Sequence, residues 1–293
     1  MCLYPIRIRN PRITSGKISA SPNEYINVSC GKCIECQRAV SNEWSLRIML
    51  ESKLYDENSF VTLTYDNEHV PTDGMLNYRD VQLFLKSLRK AVYPNKIRFF
   101  CSGEYGELNG RPHYHIIFLG YRPPTEYWYT DKNGNDYFKS AFISDLWKRG
   151  YVLVGDISFN SAFYCAKYLQ KALYSDKPVP PFVHMSNRPG IGAKCVDTVD
   201  FLSGKIYFNG RAYNVPRYFV KVLERNVINA ELVEYIKSIK RISAMRGRDF
   251  FELDKARFRS REYFYNEYVP RPLYEAVHFS DFFQKSIDKG LFL

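Results

Sequence analysis

Two runs rich in β-branched and aromatic residues, Ile97 to Glu104 (IRFFCSGE) and His113 to Leu119 (HYHIIFL), are separated only by a loop carrying Tyr105-Gly, Asn109-Gly and Pro112. Runs this close cannot pair in parallel, which needs a crossover of a dozen or more residues, so they form an antiparallel hairpin. That hairpin constrains everything around it. Strand and helix patterns alternate along the chain, as they do in parallel sheets. A hairpin at the centre instead requires an α+β arrangement, a central antiparallel sheet with packed helices.

The neighbouring patterns fit that sheet. Ser41 stands as a cap before apolar positions Trp44, Ile48, Leu50 and Leu54, which predicts an amphipathic helix. Phe60-Val-Thr-Leu-Thr-Tyr65 predicts a strand. A helix over Tyr78 to Val92 places Val81, Phe84, Leu85 and Leu88 on one face and stops at Pro94. After a polar loop near Asp131 to Asp136, the pattern predicts a helix from Phe138 to Lys148, a strand from Tyr151 to Ile157 and a helix from Ser158 to Leu173.

Both ends differ from this core. Residues 1 to 37 hold many Pro, Asn, Ser and Gly residues together with Cys30-Gly-Lys-Cys33-Ile-Glu-Cys36, and read as an irregular, Cys-rich segment. Breakers at Pro178, Pro180, Pro181, Pro189, Gly190 and Gly192 close the core. Beyond them come a hairpin over Lys205 to Asn214, with Asn209-Gly210 at its turn, and a basic helical region from Asn229 to about Arg261. The expected domains are therefore 1–37, 38–192 and a basic C-terminal region, 193–293.

Charge narrows the partners. The net charge of +11, with 42 Lys and Arg against 31 Asp and Glu, suits a polyanion, nucleic acid or an anionic membrane surface. Membrane is the poorer match, because no run approaches the roughly 18 apolar residues of a spanning helix. The start, MCLYPIRIRNPRI, also lacks a signal peptide's apolar segment. The chain therefore reads as a soluble, cytosolic protein.

Strand alternation puts His113 and His115 on one face, with Cα atoms about 7 Å apart, and Tyr114, Ile116 and Phe118 on the other. Two imidazoles so placed can share one ion or can be ordinary core histidines. Glu104, at the end of the preceding strand, comes alongside them if the hairpin forms, giving two histidines and one carboxylate with open positions. Glu107 and Glu68 are less well placed.

On the last core helix, Ala162, Ala166, Leu169 and Leu173 form an apolar stripe. Tyr164, Tyr168 and Lys171 lie opposite it, with Lys167 beside them. In a chain with 24 tyrosines two such rings can simply pack against a second surface. They can also act as nucleophiles. A phenol, of pKa about 10, needs neighbouring cations or a polarised phosphate to do so.

Cys30, Cys33 and Cys36, with Cys2 as a fourth, could bind structural zinc, or could be reduced thiols in a turn. Lys237, Lys240, Arg241, Arg246, Arg248, Lys255, Arg257, Arg259 and Arg261, interleaved with Phe250, Phe251 and Phe258, suit contacts to a DNA backbone. They equally suit a solvated helix face.

The order of these features, Phe60-Val-Thr-Leu-Thr-Tyr65, Ser102-Gly-Glu104-Tyr-Gly, Arg-Pro-His113-Tyr-His115-Ile-Ile-Phe, then Tyr164-Cys-Ala-Lys-Tyr168-Leu-Gln-Lys, resembles the HUH endonuclease superfamily of rolling-circle replication initiators. With the cysteine cluster and Arg188-Pro-Gly-Ile-Gly192 it is similar, more narrowly, to the initiators of gokushovirus-type microviruses, over most of residues 1–192.

The resemblance implies a metal-dependent DNA nickase in which His113, His115 and Glu104 hold Mg²⁺ or Mn²⁺ against the scissile phosphate. It implies that Tyr164 or Tyr168 attacks, leaving a 5′-phosphotyrosine link and a 3′-OH for a host polymerase. The second tyrosine then cleaves the regenerated origin, and the strand is resealed. Lys167 and Lys171 would position phosphates or assist proton transfer.

The implied partners are single-stranded DNA, the origin of the double-stranded replicative form, and a host helicase, since the sequence shows no Walker-type motif. The implied location is the bacterial host cytoplasm. Two other readings stay open: a non-catalytic, metal-stabilised nucleic-acid-binding protein, and a single-strand transposase of the same superfamily.

Overall fold

A computed structural model describes residues 2–9, 25–106, 109–171, 175–199, 205–225 and 232–238, without the side chains of residues 170 and 171. The chain divides into two compact units, 1–197 and 198–293.

In the first unit, strands β1 (Ile6–Arg9) and β2 (Tyr25–Val28) form a separate antiparallel pair where sequence suggested irregular structure. Helix α1 (Ile34–Ser52) follows. The core then runs β3 (Asn58–Tyr65), α2 (Tyr78–Ala91), β4 (Arg98–Tyr105), β5 (Pro112–Leu119), β6 (Glu126–Thr130), β7 (Asp136–Lys139), α3 (Ala141–Trp147), β8 (Gly150–Gly155), α4 (Phe159–Lys171) and β9 (Phe182–Met185). Seven strands make one sheet in the order β6-β7-β8-β3-β5-β4-β9, and every neighbouring pair is antiparallel. The expected α+β class and central antiparallel sheet are both present.

Alternation on the strands decides which helices cover which face. Val61, Leu63, Tyr114, Ile116 and Phe118 share a core with Val81, Phe84, Leu85 and Leu88 of α2 and Ile143 and Trp147 of α3. On the other face Phe100, Ile117 and Leu119 pack with Ile48 of α1 and Ala162, Cys165 and Ala166 of α4. The histidines of β5 fall on this second face, against the tyrosine helix.

Local signals explain the helix starts. Asn77 Oδ1 accepts from Arg79 N at the head of α2, and Ser140 Oγ accepts from Ile143 N at the head of α3. Before α4, Ser158 Oγ accepts from Ser161 N while Ser161 Oγ accepts from Ser158 N, a reciprocal cap.

Three elements depart from the sequence reading. Helix α1 begins at Ile34 rather than Ser41, which is buried in mid-helix. The segment read as the head of a helix at Phe138 is strand β7, paired with β6. Strand β9 lies among the breakers read as the end of the core, and pairs with β4.

A buried ion pair pins the Arg188–Gly192 segment to the sheet. Glu51, fully buried on α1, accepts from Arg98 of β4 and from the backbone N of Gly192. One turn earlier on α1, Arg47 Nε and Nη2 donate to Ile191 O at 3.0 and 2.8 Å. Removing one partner of such a pair strands the other charge without water. Glu51→Ala is expected to lower stability by about 3–5 kcal/mol, checked by urea denaturation against Glu35→Ala on the exposed start of the same helix.

The second unit contains the expected hairpin, β10 (Lys205–Phe208) and β11 (Arg211–Asn214). Its turn residues Asn209 and Gly210 both have positive φ, 47° and 73°, the conformation that favours these residues in a two-residue hairpin turn. Helix α5 (Arg217–Leu223) and a helical stretch at 232–238 follow. Among the described residues no helix is long and apolar enough to cross a membrane.

Candidate active site

The β4–β5 register sets Glu104 directly opposite His113, and Ser102 opposite His115. Directly paired residues project to one face, so the carboxylate and both imidazoles meet there. Gly103, between them in sequence, faces the other way. A Cβ there would stand 2.7 Å from the Phe182 ring, so glycine permits β9 to close over the strand that carries Glu104.

A single oxygen is the centre of the cluster. Glu104 Oε1 lies 3.0 Å from His113 Nε2 and 2.6 Å from His115 Nε2, and it accepts from the Tyr164 hydroxyl at 2.6 Å. His113 Nδ1 is 3.1 Å from the carbonyl oxygen of Arg111 and must donate to it, since a carbonyl only accepts. That fixes the tautomer of the neutral ring with its Nε2 lone pair toward Glu104. His115 Nδ1 meets Thr62 Oγ1 at 2.9 Å, because β3 pairs with β5 in a register that places Thr62 opposite His115. Phe60 stacks on the His115 ring at 5.4 Å, and the three donor atoms of Glu104, His113 and His115 lie within 4.8 Å of one another.

The electrostatics follow from crowding in a buried place. Burial works to raise the Glu104 pKa, but the hydrogen bonds and charge of His113 and His115 outweigh it, so the carboxyl sits well below its usual range. At His113 burial favours the neutral ring, yet Glu104 prevails and the pKa rises. At His115 burial prevails over Glu104 and the pKa falls.

From behind, the strand is held as expected. Tyr114 is fully buried on the opposite face; its hydroxyl accepts from Asn77 N at 2.8 Å and donates to Asn77 O at 3.0 Å. Burial pushes its pKa up to about 12, so the phenol stays a donor at any physiological pH.

The tyrosine helix differs from its helical-wheel reading. Tyr164 is 37% exposed and reaches the cluster, whereas Tyr168, read as lying off the apolar stripe, is 2% exposed. The reason is that α4 is covered on more than one side, by α1 as well as by the sheet. Lys167 is also buried, its ammonium 3.8 Å from the centre of the Tyr164 ring and 5.1 Å from that of Tyr168. The side chain of Lys171 is outside the described residues.

The four N-terminal cysteines also come together, with Cys2, Cys30, Cys33 and Cys36 sulfurs within 4.8 Å. Of the nine basic residues read as DNA contacts, Lys237 pairs with Glu224 and Glu234 at 3.0 and 3.2 Å. Lys240, Arg241, Arg246, Arg248, Lys255, Arg257, Arg259 and Arg261 lie outside the described residues. Sequence reasoning did not find Thr62 or the Arg111 carbonyl. The alternating threonines of Phe60-Val-Thr-Leu-Thr-Tyr65 were the only trace, and they acquire meaning once β3 is known to flank β5.

Comparison with known proteins agrees with this geometry. A family model of ORF2-type replication-associated proteins matches residues 58–173, from β3 to the end of the tyrosine helix. The chain is 33% identical over 215 residues to the replication-associated protein ORF4 of Chlamydia phage 1, covering 68% of this chain and 54% of that one. It is 32% identical over 213 residues to the replication-associated protein VP4 of Bdellovibrio phage phiMH2K, covering 67% of each. To the replication-associated protein ORF2 of Spiroplasma virus 4 it is 30% identical over 276 residues, covering 80% and 84%. The chain thus spans about half the length of the Chlamydia phage relative. No solved structure matches.

Proposed function

For a chain that belongs to the family of phage replication-associated proteins of gokushovirus type, we propose a nickase that starts rolling-circle replication by cutting one DNA strand through Tyr164. The observation that carries this reading is the Tyr164 hydroxyl on the same Glu104 oxygen toward which both histidines converge.

One carboxylate oxygen and two imidazole nitrogens within reach of one point are a donor set that suits a divalent cation, and the hydrogen bond at Arg111 leaves the His113 Nε2 lone pair free to serve it. His113, His115 and Glu104 would hold Mg²⁺ or Mn²⁺. The bound ion would supply Lewis-acid polarisation of the scissile phosphate.

The protein's own residues do the rest. The phenolic oxygen of Tyr164 bonds to phosphorus while the bond from phosphorus to the 3′ oxygen breaks. The electron pair leaves with that oxygen, which takes up one proton for the one the phenol gives up, so the step is a transesterification without redox change. The Lys167 ammonium beside the ring favours the phenolate. Resealing is the same step reversed, with a 3′-OH attacking the phosphotyrosine. Tyr168, buried behind Tyr164, would serve as the nucleophile of the second cut after the first ring has been drawn aside by its DNA link. The basic C-terminal residues would add backbone affinity.

The reading is tested by incubating the protein with single-stranded DNA carrying its phage's origin, with Mn²⁺ or Mg²⁺, and resolving the products on a denaturing gel. A DNA-linked protein band that disappears with chelator is expected; DNA binding without any such band would favour the non-catalytic alternative. Thr62→Val should leave the fold intact and weaken Mn²⁺ binding about 10–100-fold, the usual effect of removing a ligand's outer hydrogen bond. Titration calorimetry measures it.

A further inference from the structure

Cysteines 30, 33 and 36 surround the start of α1, and Cys2 reaches them from ahead of β1. All four are free thiols, not disulfides. Their spacing is that of ligands around a single ion. Cys30 and Cys36 sulfurs are 4.0 Å apart, and Cys33 and Cys2 sulfurs 3.9 Å. Four sulfurs at about 2.3 Å from a tetrahedral zinc stand about 3.8 Å from one another. A cluster of several irons would have to sit inside the thiol set and spread it.

A second observation points the same way. Backbone N–H groups are aimed at three of the sulfurs: Cys30 N at Cys2 Sγ (3.2 Å), Leu3 N at Cys33 Sγ (3.4 Å), and Lys32 N and Cys33 N at Cys30 Sγ (3.4 and 3.3 Å). A neutral thiol accepts weakly, and a thiolate strongly. Four donors turned on three sulfurs are the environment of anionic ligands.

The surrounding structure also lacks another source of stability. Strands β1 and β2 pair only with each other, and the residues of β1 are all exposed. Isolated two-stranded pairs are marginal in water.

We propose that Cys2, Cys30, Cys33 and Cys36 bind one structural Zn²⁺ that staples the chain ahead of β1 and the end of β2 to the first turn of α1. The ion closes three segments on one point, and its binding free energy becomes folding free energy for a hairpin with no core of its own. Helix α1 packs against α4, so the staple borders the layer that carries Tyr164 without belonging to the nicking chemistry.

The full chain, purified without added metal or chelator, should contain about one equivalent of zinc by mass spectrometry of the metal. His115→Ala and Cys101→Ser should keep it, and Cys33→Ser and Cys36→Ser should fall to background. Because those two variants can misfold, wild-type protein is also stripped and reloaded with Co²⁺. Sulfur-to-cobalt charge transfer together with the visible bands of a tetrahedral ion is expected. Zinc-free wild type, zinc unchanged in Cys33→Ser, zinc lost with His115→Ala, cobalt bands without sulfur charge transfer, or iron with labile sulfide would each overturn the proposal.

Discussion

Replacing Tyr164 by phenylalanine is expected to reduce formation of the covalent protein–DNA adduct by at least about 10³-fold, because the hydroxyl held on the Glu104 oxygen is the nucleophile and is lost. The ring and its packing against His115, 5.1 Å centre to centre, are kept, so stability should change little. Tyr168→Phe should behave differently. Its ring is buried and 5.5 Å from that of Tyr164, so the first cut proceeds and the defect falls on the later one. Single-turnover assays on an oligonucleotide carrying one origin separate the two. Equal loss of the first cut in both variants would mean that the exposed ring has no priority.

The second large effect is expected at His115. His115→Ala removes one of three donors from the metal site and leaves Glu104 with one imidazole partner. A divalent ion is worth several kcal/mol to a phosphoryl transfer. Losing about 3–4 kcal/mol of that lowers the rate about 10²–10³-fold. The adduct rate at saturating Mn²⁺ and the Mn²⁺ dissociation constant should both deteriorate while circular dichroism shows a folded protein. A variant with normal metal binding and normal rate would remove His115 from the site.

Much of this site was legible because its geometry is local. Glu104, His113 and His115 lie on one hairpin, and strand period together with a turn-rich loop suffices to place them on one face. Tyr164 sits on a helix whose apolar stripe is plain in the sequence. What sequence could not supply depends on residues far apart. Thr62 supports His115 only because β3 pairs with β5, some fifty residues on. Tyr168 is buried because α4 lies between α1 and the sheet, which a single helical wheel cannot express.

Strands β6 and β7 escaped notice for another reason. All of β6 and the ends of β7 are exposed, so no alternation marks them. Strand β9 is four residues long and sits among prolines that read as a terminator. The start of α1 was hidden by its cysteines. Their place at the head of a helix follows from converging on one point, whereas the cap and apolar pattern begin at Ser41.

The central claim is tested most directly by locating the DNA on the protein after a single round of cleavage. Trypsin cuts after Lys167 and so separates Tyr164 from Tyr168, with Lys171 ending the second peptide. Fragmentation by tandem mass spectrometry of the nuclease-trimmed adduct should show a 5′-nucleotide on Tyr164 in the peptide from Gly150 to Lys167. A nucleotide on the Tyr168 peptide after the first cut, or on any residue other than these two tyrosines, would contradict the account.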